Sequence, residues 1–68
     1  MLPSIEERIA YGRAIRHRAL CLLDAHGHLA EAEARNAARE PGIGEAERCF
    51  LEAVAERLAR LLAHSKAA

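Results

Sequence analysis

The sequence predicts an all-α protein, a small antiparallel bundle of two or three helices. Alanine is the commonest residue, followed by arginine, glutamate and leucine, and all four residue types favour helix. The aliphatic β-branched residues are only four isoleucines and one valine, and no segment alternates polar and apolar residues as a strand does. A Pro/Gly turn interrupts the pattern at residues 41–44. We expect residues 1–68 to form a single helical domain.

The first helix is predicted from about residue 4 to about residue 26. Ser4 and Glu7 form a capping box, in which the serine oxygen accepts a hydrogen bond from a backbone N–H and the glutamate reaches back. The apolar residues that follow recur at helical spacing, which predicts a helix with one face against a core. That face comprises Ile5, Ile9, Gly12, Ala19, Leu20 and Leu23, widened by Tyr11, Ile15 and Leu22.

Gly27 leaves two interpretations open for the middle of the chain. A helix that continues through it to about residue 40 loses about 1 kcal/mol relative to alanine. Alternatively, Gly27 adopts a left-handed conformation and ends the first helix, and a short helix covers about residues 29–40. We predict the bend.

The residues around Gly27 also resemble a known inter-helix turn. Two leucines, a glycine four residues on and then Leu-Ala-Glu-Ala are similar to the turn of tetratricopeptide-type repeats, which implies two helices meeting there. Leu20 and Asn36 depart from that repeat, and no second copy follows at a fixed period. The resemblance therefore covers this turn and assigns no family.

The clearest break is the segment Glu40-Pro41-Gly42-Ile43-Gly44. Proline disfavours helix at the residue before it, and the two glycines supply positions for positive φ. A last helix is predicted from about residue 45 to about residue 64, with acidic residues early and basic residues late, as the helix dipole favours. Its apolar face comprises Ala46, Phe50, Leu51, Val54, Leu58, Leu61 and Leu62.

A core is expected where these two apolar faces meet. We predict that it contains Phe50, Val54, Leu58 and Leu61 from the last helix and Ile9, Leu20 and Leu23 from the first. A chain this short buries only about 60% of the surface that its unfolded form exposes, so its core is marginal. We therefore predict a homodimer. Small side chains allow close helix approach, so the predicted interface is Ala30, Ala34, Ala37 and Ala38.

Composition and charge argue against several classes of protein. Ten basic and ten acidic residues cancel, which removes the usual electrostatic argument for a nucleic-acid or anionic-membrane surface. The N-terminus is acidic, unlike a signal peptide, and no apolar run approaches the ~20 residues of a membrane span. Two cysteines form no disulfide framework. We expect a soluble, cytoplasmic protein without a membrane partner.

A metal site is one hypothesis that the sequence raises. His17, Cys21, Asp24 and His28 share a sector of about 60° if the helix is unbroken, and zinc takes such ligands. In a two-helix hairpin His64 lies level with Cys21, whereas in the bent alternative it approaches His26 and His28. The candidate metal ligands are His17, Cys21, Asp24, His28 and His64. The competing interpretation is a polar outer face, and we expect no cofactor.

A nucleic-acid surface is a second hypothesis, with Arg8, Arg13, Arg16 and Arg18 as its candidate residues. At helical spacing these arginines point in at least three directions, and Glu6 and Glu7 lie beside them. The sequence contains no helix-turn-helix pattern and no exposed aromatic pair for stacking on bases. A solvated face that pairs with acidic residues of a neighbouring helix is the preferred interpretation.

These observations favour a protein-protein interaction or regulatory module that self-associates, with a larger protein as a further partner. The alternatives are a small nucleic-acid-associated regulator that uses the first-helix arginines and a metal-responsive helical protein that uses the histidines and cysteines. Both cysteines are expected to be buried or half-buried. No Ser/His/Asp or paired-carboxylate arrangement is recognisable, so we do not expect an enzyme.

Overall fold

Helices account for 89% of the residues that the structure describes, and they form an all-α helical hairpin as predicted. The computed structural model describes the backbone of residues 4–67 and the side chains of residues 4–64. Within that part of the chain there is no strand. One arm of the hairpin is bent and the other is a single helix. The elements are α1 (Ile5–His26), one turn of 3₁₀-helix (Gly27–Leu29), α2 (Ala30–Ala38) and α3 (Glu45–Ala67), which extends past its predicted end.

Helix α1 begins at the predicted cap. The Ser4 Oγ accepts a hydrogen bond from the Glu7 backbone N–H at 3.1 Å, and the Ser4 carbonyl accepts one from the Arg8 N–H, also at 3.1 Å. Glu6 and Glu7 lie in the first turn, at the positive end of the helix dipole. The serine half of the capping box is thus confirmed.

The predicted bend at Gly27 is confirmed, with one difference in its geometry. Gly27 has φ 58° and ψ −130°, and its N–H donates to the Leu23 carbonyl. The positive φ was expected, but this ψ lies outside the left-handed helical region, where ψ is about +30 to +60°. Residues with a Cβ rarely adopt this backbone conformation, so the bend requires glycine.

The connection between α2 and α3 is a type II turn over residues 40–43. The Ile43 N–H donates to the Glu40 carbonyl at 3.3 Å, Pro41 occupies the second position and Gly42 occupies the third with φ 82°. Within the described residues, Gly42 is the one glycine of this turn with positive φ. The expectation that Gly44 also has positive φ is therefore wrong.

Helix α3 packs against both parts of the bent arm. The nine-residue α2 contacts α3 more extensively than the 22-residue α1 does. Ala30, Ala34 and Ala38 recur every four residues on α2, and all three are buried. Because alanine side chains are short, the backbone of α2 can approach α3 closely along this row.

The core is small and is built largely from alanine. Val54 and Leu58 are its largest fully buried side chains. Around it lie the partly buried Ile15, Leu22, Leu23 and Phe50. The buried apolar residues are Ala19, Ala30, Ala34, Ala38, Leu51, Val54, Ala55 and Leu58. A core with so few large side chains contributes a modest hydrophobic free energy, since that free energy scales with the apolar area removed from water.

The predicted core is confirmed on α3 and partly wrong on α1. Val54 and Leu58 are fully buried, while Phe50, Leu61 and Leu23 are half-buried. Ile9 and Leu20, by contrast, are exposed to 51% and 47%. The reason is rotational position: both lie roughly 90° around the helix from the buried Ala19 at 100° per residue.

Leu58→Ala is expected to destabilise the protein by about 2 to 5 kcal/mol, because it removes the largest fully buried side chain and leaves a cavity. Leu29→Ala is the matched control, since Leu29 is 54% exposed and the same truncation there leaves no cavity. Urea unfolding followed by circular dichroism measures both. Equal changes in the two variants would contradict the assignment of the core.

Gly27→Ala is expected to destabilise by about 1 to 3 kcal/mol, because alanine is strained at this φ and ψ. Asn36→Ala is the comparison variant: Asn36 is exposed inside α2, where alanine is the better helix former and stabilises by up to about 0.7 kcal/mol. The two changes should shift the thermal midpoint in opposite directions at equal chain concentration. A stabilising Gly27→Ala would rule out the positive φ.

Candidate functional site

Three large apolar side chains of α1 lie exposed on one side of the helix. Ile5 is 73% exposed, Ile9 51% and Leu20 47%. At 100° per residue they fall within a sector of about 60°, and we call them the α1 stripe. Ile5 and Ile9 are one turn apart, whereas Leu20 lies about 16 Å further along the helix axis, beyond Arg16. Exposed apolar surface rimmed by polar residues marks interaction sites on proteins in water.

The α1 stripe adjoins the face of α1 that packs on the core. That second face contains Ile15, Ala19, Leu22 and Leu23, and its middle lies roughly 90° around the helix from the middle of the stripe. A helix with two apolar sectors at this angle has the pattern required in a four-helix bundle, where each helix contacts two neighbours. Among the described residues α3 and α2 contact α1, and the three side chains of the stripe remain exposed.

A groove runs beside the stripe where α1 crosses α3. Gly12 follows Ile9 on the same side of α1 and lines the groove with Ala53 of α3. Arg57 and Arg60 extend the groove along α3 towards its C-terminal end. The groove therefore carries charges of both signs, since Glu56 lines it together with the two arginines.

An aromatic contact holds α1 in place on the other side of its crossing with α3. The rings of Tyr11 and Phe50 meet edge to face, with centroids 5.8 Å apart and planes inclined by 72°. Aromatic pairs favour this geometry. The contact leaves the α1 stripe uncovered, since Tyr11 lies on a different side of the helix from Ile5 and Ile9.

The chain exposes more surface than a compact monomer of its size. Its radius of gyration is 12.7 Å, against roughly 10.9 Å for a compact chain of this length. Its accessible surface is 5390 Å², against roughly 4,200 Å² for a folded monomer of this mass. The difference of roughly 1,200 Å² exceeds the about 800 Å² that each partner buries in a standard interface.

The alanines that were predicted to form an interface lie mainly inside the hairpin. Ala30, Ala34 and Ala38 are buried, and Ala37 is half-buried. The close helix approach expected of this segment thus takes place between α2 and α3 of one chain. These side chains offer little surface to a second copy, whereas the α1 stripe offers three large exposed ones.

Of the five predicted metal ligands, the structure brings His17 and Cys21 together. The Cys21 Sγ lies 3.6 Å from the His17 Nε2, and both side chains are exposed. The bend places His28 in the 3₁₀ turn and so ends the helical spacing that linked it to Asp24. Among the described residues, no group of three or more His, Cys, Asp or Glu side chains could hold a metal ion, and His64 joins no such group.

The four candidate nucleic-acid residues are all exposed on α1, and they are Arg8, Arg13, Arg16 and Arg18. At 100° per residue Arg16 lies within the sector of the α1 stripe and Arg13 borders it, while Arg8 and Arg18 lie on other sides of the helix. They form no single basic stripe. Glu31, an acidic residue of the neighbouring helix α2, pairs with Arg35 of the same helix at 2.9 Å.

The expectation of buried or half-buried cysteines is wrong, because Cys21 and Cys49 are both exposed. Cys49 lies on the outer face of α3, since Glu45, Glu52 and Glu56 fall on the same side at helical spacing. The spacing of these glutamates relative to Cys49 was the feature of the sequence that indicated an exposed thiol. The proximity of each cysteine to leucine or phenylalanine along the chain was misleading.

Comparison of the chain with protein-family models, with curated proteins and with solved structures gives no match. Function is therefore inferred from the geometry of the chain alone. Across the part of the chain that the structure describes, none of the helices combines the length and apolar character needed to cross a membrane.

Both thiols are expected to react with a thiol-specific reagent in the folded protein, because each is exposed. Stopped-flow titration with an aromatic disulfide should count two thiols under native conditions, at rates within about tenfold of those in denaturant. Cys21→Ser and Cys49→Ser assign each phase to one residue. A thiol that reacted only after unfolding would contradict its placement.

Proposed function

We propose that this chain is a small interaction module that associates with a second copy of itself through the α1 stripe. The observation that carries the proposal is the position of Ile5, Ile9 and Leu20, which are exposed on a side of α1 that α3 does not cover. Their burial removes apolar surface from water, which is the main favourable term in protein association.

The small core also supports self-association, because the folded chain gains stability when further apolar surface is buried. Within one chain the largest fully buried side chains are Val54 and Leu58. Association of folded chains adds buried apolar surface to this core and favours the folded state by mass action. The chain has more accessible surface than a compact monomer of its mass, and this excess is large enough to supply such an interface.

A dimer formed in this way leaves the charged outer face of α3 in water. Glu45, Arg48 and Glu52 are exposed there. Charges of both signs at a surface contribute to the choice of partner more than to affinity. We propose that a larger protein partner binds this outer face, so that the module links two copies of that partner.

Ile9→Glu is expected to weaken self-association roughly tenfold or more, because it places a charge in the centre of the apolar contact. Ala10→Glu is the matched control, since Ala10 is exposed on another side of the same helix and takes the same change in charge. Sedimentation equilibrium at micromolar concentration measures both variants beside the wild type.

The wild type and Ala10→Glu should be dimeric, and circular dichroism should show the same helix content in all three proteins. A wild-type protein that stays monomeric at micromolar concentration would contradict self-association. Equal weakening by both variants would contradict the α1 stripe as its surface.

A further inference from the structure

We infer that the two copies pair through antiparallel α1 helices, with the twofold axis between Ile9 and Gly12. This inference rests on the proposed self-association and adds the orientation and register of the partner, in which Ile5 and Ile9 of the α1 stripe are buried and Leu20 lies outside the contact. It follows from the order of residues along the exposed side of α1, which is Ile5, Glu6, Ile9, Gly12, Arg13 and Arg16. An antiparallel copy sets a base opposite the acid and the glycine opposite a large apolar residue.

The first element of the match is a notch and a side chain that fills it. Ile5, Ile9, Gly12 and Arg16 are spaced by four, three and four residues, which is the spacing of a helix-helix seam. Among the described residues, no atom comes within 4 Å of the position that a Cβ on Gly12 would occupy. In the antiparallel pair Ile9 enters the notch at the partner's Gly12, and the twofold axis repeats this contact.

The second element is charge. The same alignment places Glu6 beside the partner's Arg13, again twice by symmetry. Neither side chain belongs to an ion pair among the described residues, where the pairs are Arg35–Glu31 and Arg48–Glu45. The methylene stem of Arg16 also covers the partner's Ile5, leaving the guanidinium in water. Opposite charges at such flanking positions set the orientation of paired helices.

Other arrangements bring like charges together. A parallel pair places Arg16 against the partner's Arg16 in the seam. An antiparallel pair shifted so that Ile5 covers the partner's Leu20 brings Arg13 next to the partner's Arg13. Like charges in contact disfavour both arrangements. Charge therefore selects one orientation and one register.

A charge-swap experiment on the full chain tests the pairing. Glu6→Arg alone and Arg13→Glu alone should each weaken the homodimer roughly three- to tenfold, because each places like charges in contact. An equimolar mixture of the two variants should recover wild-type affinity, since both ion pairs form again in the mixed dimer. Isotope-labelled chains in native mass spectrometry measure the mixed species directly.

The matched control separates this contact from general attraction between oppositely charged chains. Glu33→Arg and Arg39→Glu change the net charge by the same amounts at exposed positions of the α2 region, away from α1. Each of these variants, and their mixture, should associate as the wild type does. A mixed dimer of the control pair that is favoured as strongly as that of the test pair would overturn the inference.

Cross-linking measures the register. In a Cys21→Ser, Cys49→Ser background, Ile5→Cys mixed with Arg16→Cys should form an interchain disulfide. Such a bond needs Cα atoms roughly 4.4–6.8 Å apart. Ile5→Cys alone should give no homodimeric disulfide, because a parallel pair is required for that product.

The outcomes distinguish the two proposals. A dimeric wild type with no recovery in the charge-swap mixture would overturn the antiparallel pairing and leave self-association standing. A disulfide from Ile5→Cys alone, or one between Ile5→Cys and Leu20→Cys in preference to Arg16→Cys, would do the same. A monomeric wild type would overturn both.

Discussion

The architecture of this chain depends on the bend at Gly27. A helix continued from Ile5 to Ala38 would be roughly 51 Å long at 1.5 Å per residue, whereas the longest dimension of the molecule is 40 Å. The positive φ of Gly27 ends α1 and lets α2 start in a new direction, so both helices lie on α3. An unbroken helix would keep one direction along its whole length, so it could not make both of these contacts with α3.

The bend also determines which surface is left over. Because α2 covers one side of α3 with a row of alanines, α1 packs on the core through the face that contains Ile15, Ala19, Leu22 and Leu23. Ile5, Ile9 and Leu20 lie beyond that face and are 73%, 51% and 47% exposed. Self-association is proposed because it buries this surface. The core is small, and the α1 stripe is exposed, for the same reason: only some of the apolar residues of the bent arm pack on α3.

Much of the fold was predictable because its signals are local. The Ser4 cap, the Pro41–Gly42 turn and the apolar face of α3 each depend on a few neighbouring residues with defined backbone preferences. The division of α1 into two apolar sectors was not predictable. The spacing of apolar residues places Ile9 and Leu20 on an apolar side of the helix, but it does not show which neighbour, if any, covers them. The five-residue metal set failed to assemble for a related reason: it required the helix to pass unbroken from Asp24 to His28. The alanines of α2 were predicted to contact a second copy, but they are buried against α3 of the same chain.

The central claim is that two copies meet at the N-terminal half of α1. Isotope-filtered NMR on an equal mixture of ¹³C-labelled and unlabelled chains observes interchain contacts directly. The account predicts interchain nuclear Overhauser effects from the methyl groups of Ile5 and Ile9, and none from the buried methyl groups of Val54. Interchain effects confined to Leu61 and Leu62 of α3, or their absence at millimolar concentration, would contradict it.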